Sequence, residues 1–537
     1  MKSIQDMLKN TFQCGLKTAL FLSISMGLAG CAAGPDFKRP EPPQDGKYVP
    51  GTLQVETAVA PVTGGAAQRF DIGKDIPYDW WTLFRSPQLD ALIARAFKAN
   101  PDIASAQAAL RQAEEYVIAQ RGYFYPTVGV SYSPSRTKLA GNFGGNSPGQ
   151  QGNGQVIQTY STPNGLPPYN APVYYNFHTA QLNVGYVPDV FGGNRRQVES
   201  LTAQADLQRF QLEAAYITLA SNIVAAALQE ASQNAQISAM EKLVAANQEN
   251  LDIMQKRLQL GDVSPLDVAS QQAILAQSEQ ALLPLRLQLE KTRDLLRALA
   301  GNPPDADVPE IFDLAMLHLP EELPLSLPSK LVEQRPDIRA AEERLHAASA
   351  QYGVSIASLM PQFSITGDVG GMASTPGWMF RTGGGFFNLT ADIAYTIFDG
   401  GQLRAQSRAA KDALEQAGAQ YRSTVIAALQ NVADTLHTIQ SDAEALKMAA
   451  MNDQAMLQVR DLTRKQYETG YVSYQTLLFA EQGYQQAELV LIQAQTNRFG
   501  DSAALYQALG GGWWNREGNP DAGDAVHPGV PERDASR

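Results

Sequence analysis

The chain has 537 residues, of which 44% are hydrophobic and 18% charged, with a formal net charge of −12 and a sequence pI of about 5.1. This acidic balance, without a basic tract beyond pairs such as Arg195-Arg196, excludes nucleic acid as a partner, because phosphate binding needs clustered Lys and Arg. Cys14 and Cys31 both lie in the first 31 residues, which excludes a disulfide framework and a Cys-based metal site from the rest.

Lys2, Lys9 and Lys17 precede an apolar run from Ala19 to Leu28 that ends in small residues. This pattern predicts a lipoprotein export signal over residues 1–30. Leu28-Ala29-Gly30-Cys31 resembles a bacterial lipobox, which implies covalent diacylglycerol and palmitate on Cys31. Ala32 in place of an aspartate resembles the outer-membrane sorting class. No apolar stretch of about 18 residues is evident after Cys31, so a membrane crossing is expected to be made by strands. Residues 31–80 read as a lipidated tether, rich in Pro, Gly and small residues.

The first repeat is expected over residues 81–300. Leu89, Leu92, Ile93 and Ala96 have helical spacing, and Asn100-Pro101-Asp102-Ile103 opens a second helix, with Pro in the first turn and Asp at the positive end of the helix dipole. The period then becomes two: Thr127–Ser133 and Ala180–Tyr186 alternate as strands around a Gly-, Asn- and Pro-rich loop near 137–177. From Asn194 to Leu260 no Gly or Pro occurs. A continuous helix there is roughly 100 Å long. Phe210, Ile217 and Val224 recur every seven residues, as coiled-coil packing requires. Gly261 stops this helix, and Ser264-Pro265 starts another that runs to about Ala300 past a possible kink at Pro284.

Residues 301–330 form a Pro-rich linker, after which the events recur over 331–510. Arg335-Pro336-Asp337-Ile338 opens a helix, Pro361 stands 235 positions after Pro126, and strands follow at Gln362–Val369 and Asn388–Ile397. Phe398-Asp399-Gly400-Gly401 repeats the earlier turn, a second long helix runs to Thr469, and Gly470-Tyr471-Val472-Ser473 mirrors Gly261-Asp262-Val263-Ser264. The chain is a tandem duplication. Residues 511–537 read as a polar C-terminal tail.

One strand face carries Val128, Val130, Tyr132, Leu182, Val184, Tyr186, Phe363, Ile365, Leu389, Ile393, Tyr395 and Ile397; the other carries Ser131, Gln181, Asn183, Ser364, Thr366, Asp368, Asn388, Thr390, Asp392 and Thr396. Either the apolar face covers a protein core, or it meets lipid around a wet lumen. Strands long enough to cross, polar loops at one end and the export signal favour lipid. Four strands do not close a barrel, and an open edge in lipid leaves backbone groups unpaired. Two copies give eight strands and a filled interior; three give twelve and a pore, which transport favours.

These residues resemble the TolC-like outer-membrane efflux channels, in particular the lipoprotein (NodT/OprM-like) branch. The resemblance covers about residues 31–513 and rests on the ordered motifs already quoted together with Cys31–Asp36, Tyr467–Gly470, Tyr474–Leu478 and Ala508–Trp513. It implies an α+β membrane protein: a homotrimer in which four strands per chain form a 12-stranded transmembrane barrel, continued by a long periplasmic α-helical barrel with an equatorial belt. It implies a passive exit duct for drugs or other toxic compounds, anchored in outer-membrane lipid. Its partners would be a periplasmic adaptor and an inner-membrane pump of the resistance-nodulation-division (RND) type. The duct of an ATP-driven protein secretion system, or a lipid-anchored coiled coil without a pore, are the alternatives. The tunnel would close at the periplasmic helix tips, with Asp267, Gln475 and Phe479 as the constriction and Gly261, Ser264, Pro265, Gly470 and Ser473 as tip turns and adaptor contacts. Ser264 and Ser473 also read as N-caps, and Asp267 as a helix-dipole partner. Val472 stands where some members carry an Arg, so a salt-bridge latch is not expected there. No histidine has a His or Cys neighbour at metal spacing, and no nucleophile elbow or catalytic carboxylate pair is evident; neither enzymatic activity nor a cofactor is expected.

Overall fold

The computed structural model describes residues 32–42, 46–51, 54–139, 173–306 and 309–516. The expected signal, Cys31, most of the first Gly-rich loop and the tail from 517 lie outside the described residues. In chain order the elements are β1 (Arg69–Ile72), a 3-10 turn (Trp80–Phe84), α1 (Pro87–Ala99), α2 (Pro101–Arg121), β2 (Thr127–Leu139), β3 (Val173–Tyr186), α3 (Gly193–Gln259) and α4 (Pro265–Leu299). There follow β4 (Glu322–Leu325), α5 (Pro328–Gln334), α6 (Pro336–Ala357), β5 (Gln362–Ala373), β6 (Gly385–Ala394), α7 (Gln402–Glu468) and α8 (Tyr474–Ala508). The duplication is plain in the lengths: α3 and α7 have 67 residues each, α4 and α8 have 35 each.

The chain divides into two compact units. The first (1–38, 113–204, 345–416) holds a four-stranded antiparallel sheet in the order β2-β3-β5-β6. Its strands run further into the loops than alternation alone suggested, and Tyr395 and Ile397 fall just beyond β6. The segment expected to be a tether begins as a docked strap. Ala33 N donates to Phe191 O at 2.9 Å, Arg196 Nε donates to Ala33 O at 3.1 Å, and Arg196 pairs with Asp36 at 2.6 Å. Phe37 stacks on His346 with ring centroids 4.3 Å apart. Gly353 is required beneath it, because a Cβ there would lie 2.9 Å from Ala33 O.

The second unit (39–112, 205–344, 417–537) holds the greater part of the long helices, arranged as the hairpins α3/α4 and α7/α8, and a core that sequence periodicity missed in part. β1 and β4 pair in parallel, joining the N-terminal segment to the linker; strands of four residues give too short an alternation to read. Trp80 is fully buried and stacks on Tyr506 at 5.4 Å. Phe210, Ile217 and Val224 are all buried, as their heptad spacing required. Trp513 is only 6% exposed and packs edge-on against Phe210, so the first residues of the supposed tail belong to the core. α4 continues through Pro284. One 18-residue window of α3 is apolar enough to span a membrane by composition, contrary to expectation, but over half of it (56%) is buried in the protein.

Candidate functional site: the strand wall and the helix tips

The strand pairing puts the two residue classes on opposite faces. Val128 faces Val184, Val130 faces Leu182, Leu182 faces Val369, and Val369 faces Phe387. On the other face Ser131 meets Gln181, Asn183 meets Asp368, Asp368 meets Asn388, and Thr366 meets Thr390. Asn183 Nδ2 donates to Ser131 Oγ at 3.0 Å, tying polar groups across strands. Among the described residues the apolar face covers no core: Val130 is 82% exposed and Phe387 84%. A sheet packed on protein would bury these side chains; a bare apolar face this large needs a non-aqueous neighbour. Aromatic residues flank it at both ends. Tyr123, Tyr125, Tyr395 and Phe398 are exposed at the helix end, and Tyr174, Trp378, Phe380 and Phe387 at the loop end. Such belts mark the two water–lipid boundaries. Most of them escaped the sequence reading, though aromatics bracketing each alternating run were the signal. β2 and β6 are the two edge strands of the sheet.

The helix tips are built by matched local chemistry. Gly261 and Gly470 take left-handed φ of 79° and 78°, which only glycine adopts without strain. Asp262 N returns to Arg257 O at 2.9 Å and Tyr471 N to Gln466 O at 2.8 Å, closing both helix ends alike. Ser264 and Ser473 cap the following helices, accepting from Asp267 N and Thr476 N at 3.3 Å each. At the first tip the box is reciprocal: the Asp267 carboxylate accepts from Ser264 N at 2.9 Å and from Ser264 Oγ at 2.8 Å. Those bonds hold the Asp267 carboxyl below the usual carboxylate range. Pro265 occupies the first helical position.

Within one chain Gln475 and Phe479 are exposed, Phe479 at 63%, and no hydrogen bond joins either to Asp267. The residues that do tie the hairpins together were not foreseen. Arg257 Nη1 donates to Tyr467 Oη at 2.9 Å, Tyr474 Oη donates to Gln271 Oε1, and Gln271 Nε2 donates to Asn247 O at 2.9 Å. Burial, with Glu481 and Tyr467 nearby, pushes the Tyr474 hydroxyl well up, so it serves as a donor. Polar residues at helix contacts carry no periodic signal, which is why sequence reading passed over them.

This fold, a lipid-facing antiparallel sheet combined with duplicated long helical hairpins, is that of the TolC-like outer-membrane channels. The outer-membrane channel OprN superposes with a TM-score of 0.75 at 25% identity, over 90% of this chain and all (100%) of that one. The open state of the Neisseria gonorrhoeae MtrE outer membrane channel gives 0.73 at 23% identity, over 90% and 99%. The Outer membrane efflux protein family model matches residues 92–302 and 327–511, and the chain belongs to that family. It is an outer-membrane efflux protein. Among its curated relatives are the pyoverdine export outer membrane protein OpmQ of Pseudomonas putida, 28% identical over 92% of this chain and 97% of the relative, and the toluene efflux pump outer membrane protein TtgC of the same species, 26% identical over 91% and 94%.

Proposed function

We propose that three copies of this chain close a 12-stranded barrel and serve as the passive exit duct of a tripartite efflux pump, without catalysis of their own. The observation that carries this reading is the four-stranded sheet whose apolar face is bare and whose edges, β2 and β6, find no partner strand among the described residues. Unpaired edge groups in hydrocarbon cost several kcal/mol each, roughly, so the edges of neighbouring copies must pair. Twelve strands leave a lumen, lined by Asn183, Asp368, Thr366 and Asn388. The names of the relatives, export of pyoverdine and efflux of toluene, support a small-molecule cargo rather than a secreted protein.

In this reading Cys31 carries diacylglycerol and palmitate. A periplasmic adaptor grips the tip turns at Gly261, Ser264, Pro265, Gly470 and Ser473, and an inner-membrane pump, of the RND type, supplies the energy. Asp267, Gln475 and Phe479 narrow the tips. The exposure of Gln475 and Phe479 within one chain is what side chains that meet only on assembly require. Purified protein should run as a heat-modifiable trimer and conduct ions in planar bilayers. Protein that inserts in bilayers without conducting in any assembly would overturn the duct. Phe479→Ala and Asp267→Ala should each raise single-channel conductance; unchanged conductance in both would remove these residues from the gate.

A further inference from the structure

Just beyond the lipid-facing strands, the first turns of α7 carry a cationic stripe. Arg404, Arg408 and Lys411 are spaced four and three residues apart, which puts them on one helix face. All three are exposed, whereas Leu403, Ser407 and Ala410 are half-buried on another face, where Ser407 meets Ser355 at 3.5 Å. Arg404 and Arg408 have no ion-pair partner among the described residues. Lys411 has only a loose one, Glu415 at 3.8 Å. The nearby carboxylates are otherwise engaged or apart: Asp399 accepts from Gly401 N and Leu403 N at 2.8 Å each, and Asp412 makes no ion pair.

The height of the stripe is set by its neighbours. Tyr395, Ile397 and Phe398 end the lipid-facing run, with Ile397 91% and Phe398 89% exposed; aromatic rings of this kind sit at the headgroup level. α7 starts at Gln402. At 1.5 Å per residue, Arg404 stands roughly 3 Å and Arg408 roughly 9 Å along its axis. The headgroup and interfacial layer on each side of the hydrocarbon is about 5–8 Å deep. Arg404 therefore lies at the depth of lipid phosphates and Arg408 just past the inner margin of that layer, from which its long side chain reaches back; guanidiniums match phosphate oxygens in a bidentate fork. The corresponding turn of the first repeat is neutralised by protein: Arg195 pairs with Asp189 at 3.3 Å, and Arg196 with Asp36 at 2.6 Å and Glu199 at 2.7 Å.

We infer that Arg404 and Arg408 bind the headgroups of anionic phospholipids in the periplasmic leaflet, with Lys411 adding to the positive field further along the helix. The inference rests on the membrane reading of the strands. The test is the lipid shell of the full-length protein in bilayers, read by electron paramagnetic resonance with spin-labelled phosphatidylglycerol and phosphatidylcholine. The wild type should prefer phosphatidylglycerol. Arg404→Gln with Arg408→Gln should lower that preference ~5-fold or more per charge removed, while Arg404→Lys with Arg408→Lys keeps most of it. A wild type without preference, or an unchanged preference in the Gln pair, would overturn the site. So would loss of the oligomer by the Gln pair in pure phosphatidylcholine, which would assign the arginines to a neighbouring copy. Failure of the wild type to insert at all would instead sink the membrane reading.

Discussion

The two helical hairpins have the same lengths and the same glycine-ended, serine-capped tips, yet their interiors differ in kind. In α4 the residue 24 places from the helix start is Leu289, buried among Leu282, Ile237 and Met240. In α8 the same place holds Arg498, which is fully buried. Three residues on, Thr292 of the first hairpin, bonded within its own helix, is replaced by Asp501, and Gln233 on α3 is replaced by Asp442 on α7. Duplication thus preserved the frame, which depends on helix lengths and caps, while the contacts inside each copy were free to diverge. The second hairpin accepted a buried charge cluster because other segments complete it. Arg498 Nη1 donates to Ile439 O at 3.1 Å and Nη2 to Thr57 Oγ1, while Gln68 Nε2 donates to Ser502 Oγ at 2.7 Å and to Pro320 O at 2.8 Å.

The sharpest way to break this contrast is to truncate the arginine. Arg498→Ala leaves a cavity, strands the Ile439 carbonyl and Thr57 hydroxyl that Arg498 bonds, and removes the cation whose field acts on Asp501 and Asp442; losing a buried charge held in this way typically costs about 3–5 kcal/mol. Leu289→Ala in the first hairpin removes only apolar contact, about 2–4 kcal/mol. Thermal denaturation of the detergent-solubilised protein should therefore rank Arg498→Ala as the more damaging. The opposite order would mean that the cluster is an indifferent filling of the second hairpin.

Next in size is a pH effect that the second hairpin should show more strongly, because in the first the buried Glu230, also raised by burial, has Arg293 bonded to it at 3.1 Å. Burial and the neighbouring Asp442 push the Asp501 carboxyl up to about 7, against the pull of Arg498, whose own basicity burial lowers to about 10. A carboxyl raised in the folded state binds its proton more tightly there than in the unfolded chain. Its stabilising contribution is complete below the ordinary carboxylate range and is lost as pH rises through about 7. The melting temperature should fall between pH 5.5 and pH 8, and Asp501→Asn should flatten that slope. A slope of unchanged size in Asp501→Asn would assign the dependence to other groups.

What could be read from the sequence follows the same division. Frame residues carry periodic signals: the strand alternation, the Gly- and Pro-free helix, Gly261 and Ser264 with their echoes at 470 and 473 were all legible, and so was Pro361 as the counterpart of Pro126. Arg498, Gln68 and Asp501 were not legible, because a charged residue on a helix reads as a solvated face until its neighbours are known. Likewise the docking of Asp36 and Phe37 on Arg196 and His346 depends on a return of the chain across more than 150 residues, and a Pro- and Gly-rich segment looks like a tether whether or not something receives it. At the tips, the constriction expected of Asp267, Gln475 and Phe479 rests on the family resemblance. Asp267 already has local employment in the capping box, whereas the side chains of Gln475 and Phe479 have no hydrogen bond among the described residues.

That asymmetry between the tips supplies the smallest expected effect. Ser264→Ala removes the acceptor for Asp267 N and also the hydroxyl donor that Asp267 engages, whereas Ser473→Ala removes the acceptor for Thr476 N together with a hydroxyl contact at 3.0 Å. Loss of an N-cap costs about 1 kcal/mol, and the first tip should lose slightly more because its partner is charged. Amide hydrogen exchange reads this locally. The first turn of α4 should exchange about fivefold faster in Ser264→Ala, since ~1 kcal/mol of local opening corresponds to that factor, with a smaller acceleration at the start of α8 in Ser473→Ala. Equal acceleration at both tips would show that the Asp267 carboxylate adds nothing to the cap, leaving it free to work as a pore-lining charge. Acceleration confined to the first tip would mean that α8 is held by the tyrosine and glutamine contacts of Tyr474 and Gln271 rather than by its serine.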